Sequence, residues 1–397
     1  MRKYLVAGRT FSIIVFGCRT NHYEGEALAS MLEARGALNV PAETGGADII
    51  IAVTCSLTSA ADAKARKTLR RLRRENGGAV IVLCGCYAQA AADDVRAMGA
   101  DILAGSGLKH RIPDALEDFL STGGFIELRR AMNGSVSASW DALSLDRPRL
   151  HTRAFVKVQD GCDRRCSYCA VPGLRGPQIS RDPDEIRGET EMIVESGCRE
   201  VVLTGICLGS YKYGDTTLAK LVSDISRIPG LSRLRFGSLE PYAANDDLLR
   251  AISESDVFCP HLHLPLQSGD DGVLAAMRRG YAASDFARIL ESVRSRLGDE
   301  THVSTDLMVG FPGESDEAFE NSLTFAQNVG LGRVHVFPFS PREGTRAASM
   351  PGQVPRQVVR ERTKRAIDIS EGLLSSYAKR WVGRGVSVLA EGGHGDF

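Results

Sequence analysis

The chain carries no surplus of charge. Lys plus Arg and Asp plus Glu both total 49, so the formal net charge is zero. Bulk charge therefore gives no argument for a nucleic-acid or membrane partner, and any basic surface must be local. Long apolar runs are also missing. No stretch approaches the roughly 20 residues of a membrane-spanning helix, and the apolar run within residues 1–18 (MRKYLVAGRTFSIIVFGC) breaks off too soon for an export signal. A cytoplasmic location and no membrane partner are expected. Disulfides are rare in that setting, so the ten cysteines read as metal ligands or buried thiols. The remaining composition is that of an ordinary globular protein: 397 residues, 43% apolar and 25% charged, enough for two or three domains.

Residues 157–176, KVQDGCDRRCSYCAVPGLRG, organise the reading. Cys162, Cys166 and Cys169 stand in the spacing C-x3-C-x2-C, close enough for one loop to bring three thiolates round a small inorganic object. Three is an incomplete set. Structural zinc takes four protein ligands and a plain electron-transfer cluster takes four cysteines, so a local triad points to a cluster with one iron left open. A zinc knuckle that borrows His151 or Cys198 is the alternative. The spacing, with Tyr168 before the last cysteine, resembles the signature of the radical S-adenosylmethionine (SAM) superfamily. That resemblance implies a 4Fe-4S cluster whose open iron holds SAM, and Tyr168 near the adenine.

From Ser12 to about Leu128, short apolar runs alternate with helical patterns, as in a doubly wound parallel sheet. The runs are SIIVFG, DIIIAVTC, AVIVLCGC and DILAG, with helices expected near residues 22–35, 58–75 and 89–98. Cys18, Cys55 and Cys86 each fall at the C-terminal end of such a run, on the edge where open α/β sheets bind ligands. They form a second incomplete triad. Cys84 lies two residues before Cys86 and would point to the same side of a strand, so periodicity leaves the choice between them open. The helix after Cys55 carries Lys64, Arg66, Lys67, Arg70, Arg71, Arg73 and Arg74 with no acid until Glu75. So many uncompensated cations on one helix favour contact with phosphate over a plain solvated face.

Residues 129–153 lose periodicity and read as a linker, with Trp140 free to pack on a neighbour. Beyond it FVKVQD, REVVLTG, RLRFGSL, HLHLPLQ, HVSTDLMVG and RVHVFPFS each precede a helical stretch. Six such units make an incomplete β/α barrel with its working residues at the C-terminal strand ends. Those ends supply Gly205, Glu240, Gln267, Ser268 and Asp306, which offer close backbone approach and hydrogen bonds to a polar nucleoside and amino acid. Cys198, Cys207 and Cys259 read as buried thiols, and His261 and His263 as packed or hydrogen-bonded residues.

FGCRTN, TCSLT and GCYAQ resemble the three cysteine motifs of the radical SAM methylthiotransferase family, and GCYAQ matches at Cys86. The chain departs from the family pattern at Val53, where Asn is usual, which removes a hydrogen bond beside Cys55. The resemblance implies an N-terminal doubly wound α/β domain (residues 1–128), the linker (129–153) and a radical SAM partial (β/α)6 barrel (154–380). It also implies a truncated or absent TRAM β-barrel, because residues 381–397 offer about one strand. It further implies two 4Fe-4S clusters, one on Cys162, Cys166 and Cys169 and an auxiliary one on Cys18, Cys55 and Cys86. SAM, an electron donor such as flavodoxin or ferredoxin, and a sulfur source complete the expected set. FGCRTNHYEGEAL and PLQSGDDGVLAAMRRGY look most like the branch acting on threonylcarbamoyl-adenosine in the tRNA anticodon stem-loop. Sister branches modify isopentenyl-adenosine in tRNA or a ribosomal-protein aspartate. A monomer is expected. A non-catalytic, zinc-structured RNA-binding protein is the reading from another class.

Overall fold

The computed structural model describes residues 4–42, 45–129 and 140–391. It divides into two compact units, Met1–Asp163 with Ala170–Cys198, and Arg164–Cys169 with Arg199–Phe397.

In the first unit β1 (Thr10–Val15), β2 (Leu38–Asn39), β3 (Ile49–Thr54), β4 (Val80–Gly85), β5 (Ile102–Ala104) and β6 (Ile126–Leu128) form one parallel sheet in the order 2-1-3-4-5-6. Both β3 (IIIAVT) and β4 (VIVLCG) are buried along their whole length, as strands covered on two faces must be. The helices are α1 (Arg19–Ala34), α2 (Ser59–Glu75), α3 (Cys86–Ala90), α4 (Ala92–Ala97) and α5 (Ile112–Thr122). Thr58 starts α2 by accepting a hydrogen bond from the Ala61 amide (3.1 Å), and Ala65, Leu69 and Leu72 turn inward onto Ile50, Ile81 and Leu83. The single helix expected over 89–98 is two, broken at Ala91, whose φ of −133° leaves the helical region. Strand order reverses between β1 and β3, and such a switch point opens a crevice outside the carboxyl ends of those two strands.

The same unit holds β7 (Ala154–Lys157), the short antiparallel pair β8 (Gln159–Asp160) and β9 (Ile179–Ser180), α6 (Val171–Arg175) and α7 (Pro183–Glu195). The described part of the expected linker is anchored here. Asp141, Leu143 and Leu145 are buried, the Tyr23 hydroxyl donates to the Leu143 carbonyl (2.8 Å), and the Lys157 ammonium lies 4.9 Å from the Trp140 ring centre. Residues 130–139 lie outside the described set.

In the second unit β10 (Glu200–Thr204) pairs in parallel with β13 (Arg233–Phe236), and β14 (His261–His263), β15 (His302–Val309) and β16 (Arg333–Pro338) form a second parallel set. A parallel bridge between Ser238 and His263 joins the two sets, so sheet order follows chain order, as in a barrel wall. A small hairpin, β11 (Lys212–Tyr213) and β12 (Thr216–Thr217), stands between the first two of these strands in sequence. The helices are α8 (Leu218–Ile225), α9 (Asp246–Ser253), α10 (Asp271–Ala276), α11 (Ala283–Leu297), α12 (Asp316–Asn328) and α13 (Arg356–Lys379). Asn245, Asp270 and Ser315 cap α9, α10 and α12 through their side chains. Arg362 of α13 is buried against Glu314 and Asp316 (both 2.7 Å). No strand forms over the described residues after α13, where the sequence offered about one.

Candidate active site

The switch point of the first sheet carries Cys18, Cys55 and Cys86. Cys18 caps α1 directly after β1, Cys55 follows β3, and Cys86 opens α3 directly after β4. Two glycines make this possible. Gly17 has φ of +106°, and a Cβ there would lie 2.5 Å from the Cys55 Cβ and 3.1 Å from its Sγ. Gly85 has φ of +100°, and its Cβ would run into the backbone of Thr54. Asn21 stitches the strand ends together, its Nδ2 donating to the Phe16 carbonyl (2.6 Å) and the Thr54 carbonyl (3.0 Å). Thr54 in turn donates through Oγ1 to the Cys84 carbonyl (2.7 Å).

Burial raises the Cys18 thiol, against the pull of Arg175, and raises the Cys55 thiol to about 11. The neighbouring Cys86 raises both the Cys18 and the Cys55 thiol further. Cys84, on the far side of the Gly85 turn, is buried in β4, where burial raises its thiol to about 12 beside Lys109 and Glu24. The turn therefore separates two cysteines that periodicity could not. Three soft sulfur donors suit iron-sulfur chemistry. No three His, Cys, Asp or Glu among the described residues gather round one ion-sized point. Ligands of a cube bind separate irons and stand wider apart than ligands of a single ion.

Behind this triad lies a buried ion network. Glu24 on α1 contacts Arg175 (2.9 Å), Lys157 (3.1 Å) and Lys109 (3.2 Å), all of them fully or almost fully buried. Asp160 pairs with Lys157 (3.1 Å) and Arg175 (3.0 Å), and Asp141 lies 3.8 Å from Lys109. Burial would raise the Glu24 carboxyl, but Arg175, Lys109 and Lys157 outweigh it and hold it well below the usual range. Arg175 also donates to Asn21 Oδ1 (2.9 Å), which aims its charge at the strand ends.

Of the second cysteine set, Cys162 belongs to the first unit and Cys166 and Cys169 to the second. Cys162 donates its amide to the Gly176 carbonyl (3.1 Å), after Gly161, whose φ is +69°. The Cys169 amide donates to the Cys166 carbonyl (3.1 Å), and the intervening Ser167 is clamped by backbone bonds to Met277 and Ala347. Tyr168 packs against the cluster of Val273, Met277, Phe311, Ala318 and Ala347, and burial raises its phenol. Arg279 is the unforeseen residue here. Its Nη1 is 3.5 Å from Cys166 Sγ and 3.4 Å from the Tyr168 hydroxyl, while Nη2 and Nε donate to the Pro265 carbonyl and the Tyr281 hydroxyl (both 3.0 Å).

The other strand-end candidates all lie in the second unit. Gly205 follows β10 and is half-buried. Glu240 accepts from the Gly209 amide (2.8 Å), and burial with Cys207 nearby lifts its carboxyl to about 8. Gln267 has φ of +76°, strained for a residue with a Cβ, and is held there by backbone bonds to Asp306 and Met308. Asp306 meets His263 Nε2 at 3.2 Å, and His263 Nδ1 meets Ser304 at 2.9 Å, so this histidine is hydrogen-bonded. Ser268 is fully buried, its hydroxyl shared with Ser322 (3.1 Å) and the Asp270 amide (3.2 Å). All ten cysteines are free thiols, and Cys198, Cys207 and Cys259 are buried.

Comparison with known proteins decides the family. A model described as the radical SAM superfamily matches residues 156–326, and one described as uncharacterized protein family UPF0004 matches residues 10–105. The threonylcarbamoyladenosine tRNA methylthiotransferase MtaB of Thermotoga maritima is 36% identical over 387 residues, 96% of this chain and 87% of that protein. The chain belongs to the radical SAM methylthiotransferase family. Bacillus subtilis MtaB is 34% identical, covering 96% of this chain and 85% of its own length. A tRNA-2-methylthio-N(6)-dimethylallyladenosine synthase of Thermobifida fusca is 35% identical, covering 98% and 79%. Among solved structures, the radical SAM methyltransferase TsrM of Kitasatospora setae aligns with a TM-score of 0.62 at 12% identity, over 86% of this chain and 74% of that one. That likeness concerns the fold alone. As a radical SAM methylthiotransferase the chain is an enzyme whose family implies SAM and a 4Fe-4S cluster. No helix among the described residues is long and apolar enough to cross a membrane.

Arg175, Glu24, Lys109 and Arg279 escaped the sequence reading. Arg175 and Arg279 had a signal, since each closes a motif that carries the resemblance, GLRG after the cysteine loop and MRRGY after PLQSG. Glu24 had the same signal, lying within FGCRTNHYEGEAL, whereas Lys109 had none.

Proposed function

We propose that the chain is a tRNA methylthiotransferase acting on the threonylcarbamoyl-adenosine next to the anticodon, replacing its C2 hydrogen by a methylthio group. The observation that carries this is end-to-end similarity to proteins of that name, over 96% of the chain and 85–87% of theirs. The dimethylallyladenosine synthases reach equal identity but are matched over only 74–79% of their length, so they are the second reading. We place the domain limits at 1–128, 129–153, 154–380 and 381–397, although residues 154–163 and 170–198 fall in the first compact unit. The protein works in the cytoplasm as a monomer, with a flavodoxin-like or ferredoxin-like electron donor and a sulfur source.

Cys162, Cys166 and Cys169 would hold one 4Fe-4S cluster, and Cys18, Cys55 and Cys86 a second. When bound, these clusters and SAM supply the electron, the carbon radical, the sulfur and the methyl group that the reaction needs. The protein binds, orients and excludes water. Arg279 donates an N–H to the Cys166 sulfur and fixes the Tyr168 phenol beside it. Gly205, Glu240, Gln267, Ser268 and Asp306 frame the SAM site, with Glu240 protonated through most of the neutral range and Ser268 holding the turn after Gln267. Arg175 sets a positive charge behind Cys18 and Cys86.

Nucleoside mass spectrometry of tRNA from cells lacking the gene is the test. Loss of methylthio-threonylcarbamoyl-adenosine is expected, and loss of the methylthio-isopentenyl nucleoside alone would transfer the assignment to the second reading. Arg279→Met should also lower the midpoint potential of the cluster on the Cys162 loop, because a charged N–H to a ligating sulfur stabilises the reduced state. A tenfold shift in the reduction equilibrium, about 59 mV for one electron, is expected in an EPR-monitored titration. Arg279→Lys should retain most of it, and a Met variant at the parent potential would remove Arg279 from this role.

A further inference from the structure

The α2 helix carries seven cations on a chain whose net charge is zero, and only some of them have a structural task. Arg73 is committed inward, donating to the carbonyls of Gly99 (2.8 Å) and Ala79 (3.1 Å) and pairing with Asp101 (2.5 Å). Arg71 and Arg74 share Glu75, at 3.8 and 3.2 Å. Lys64, Lys67 and Arg70 are exposed and form no ion pair among the described residues, and the carboxylates whose charge reaches Arg66 are Asp62 and Asp94. Asp62 is itself engaged by the Ser56 hydroxyl (2.7 Å). Residues 64, 67, 70, 71 and 74 recur at helical spacing opposite the buried Ala65, Leu69 and Leu72, so the surplus lies on one face.

Two further features give that face a direction and a shape. The Lys64 ammonium stands 4.9 Å from the Phe16 ring centre and the Arg66 guanidinium 6.0 Å from that of Tyr87. Phe16 lies two residues before Cys18 and Tyr87 follows Cys86, so the cationic face begins at the strand ends that carry the first cysteine triad. Farther along, a groove of about 530 Å³ between α2 and α4 is lined by Arg66, Arg70, Arg73 and Arg74 on one side and Asp94 on the other. Several guanidinium forks round one groove match the planar, bidentate recognition of phosphate oxygens.

We propose that this face of α2, Lys64, Lys67 and Arg70 with Arg66 and Arg74 in the groove, grips the phosphodiester backbone of the RNA substrate and leads it to the crevice at Cys18, Cys55 and Cys86. The inference rests on the RNA-modifying function proposed above. It accounts for RNA affinity on a neutral chain, since phosphate contacts need local cations only. The contacts position the RNA and carry no sequence preference.

The test is fluorescence anisotropy of labelled, unmodified tRNA with the anaerobically reconstituted holoenzyme, comparing the parent with K64Q/K67Q/R70Q across a range of salt. The triple variant is expected to raise Kd about tenfold or more and to flatten the dependence of log K on log salt by about two to three contacts. Iron content and reductive SAM cleavage without RNA should match the parent, since the three side chains form no ion pair among the described residues and the Lys64 contact with the Phe16 ring is a weak, exposed one. R70Q alone should give a smaller rise in Kd, which keeps the question answerable if the triple variant loses iron. A triple variant with the parent's Kd and salt slope would overturn the proposal while leaving the enzyme's function standing. A parent that binds no tRNA would remove both. A variant that loses binding to anionic lipid vesicles and keeps tRNA affinity would also overturn it.

Discussion

Protein in which Cys18, Cys55 and Cys86 are all alanine is expected to carry about four irons per chain, against about eight expected for the parent, and to keep cleaving SAM while losing methylthiolation. The expectation follows from the two cysteine sets lying in separate structural contexts. The first set sits at the switch point of the sheet, on β1, β3 and β4, and the second on the loop between β8 and β9. Within the second unit Ser167, between Cys166 and Cys169, is held by Met277 and Ala347, and Cys166 meets Arg279, while Cys162 lies in the first unit. Each exchange removes one sulfur, at a cost of about 1 kcal/mol where it is buried, so the fold survives. The converse triple, at Cys162, Cys166 and Cys169, should abolish SAM cleavage and leave about four irons. Iron and acid-labile sulfide analysis, with chromatography of 5′-deoxyadenosine, reads both. If the first triple retains about eight irons, or loses SAM cleavage with its iron, the assignment of two independent clusters is wrong.

Much of this arrangement is legible in the sequence because it rests on short-range patterns. Apolar runs rich in β-branched residues mark β3 and β4, and a cysteine at the end of each run follows from counting. The glycines before Cys18 and Cys86 are visible as letters, but their reason is three-dimensional. Gly17 and Gly85 both press on residues 54 and 55 of a neighbouring strand. That contact also separates Cys84 from Cys86, which no count of two residues could do. The first turn of α1 is harder to read, since Arg19 to Asn21 carry little helical pattern although the helix begins directly after Cys18. The Arg129–Arg153 stretch looks like a plain linker because its anchors, Asp141, Leu143 and Leu145, have no periodicity and meet partners far away in sequence. Charged residues are the least legible. Glu24, Lys109 and Lys157 look like surface residues one at a time, and only the fold brings them together.

Glu24 should therefore give the largest loss of stability of any single charged residue in the first unit. Three cations, Lys109, Lys157 and Arg175, face three carboxylates, Glu24, Asp141 and Asp160, and Glu24 is the only one within 3.2 Å of all three cations. Glu24→Gln leaves one positive charge uncompensated among fully or almost fully buried side chains, at a cost of about 3–5 kcal/mol. That is a large part of the roughly 5–15 kcal/mol available to a domain. Adding Lys109→Met should recover part of the loss, because the double variant restores charge balance. The pH dependence has a definite sign. Folding holds the Glu24 carboxyl well below its ordinary 4.5, and Asp141 falls from 3.8 to about 2, against burial that would raise both. A carboxyl depressed in the folded state contributes fully above its unfolded value and loses that contribution as pH falls toward the folded one. The stability gap between parent and Glu24→Gln should thus be constant above about pH 4.5 and shrink below it. Urea midpoints measured from pH 7 downward test this. Arg175 shares Glu24 with the two lysines and faces Cys18 and Cys86, so the same variant should bind its second set of irons less completely at neutral pH. A variant within 1 kcal/mol of the parent, at full iron content, would mean that water or a neighbouring group takes over the work of this carboxylate.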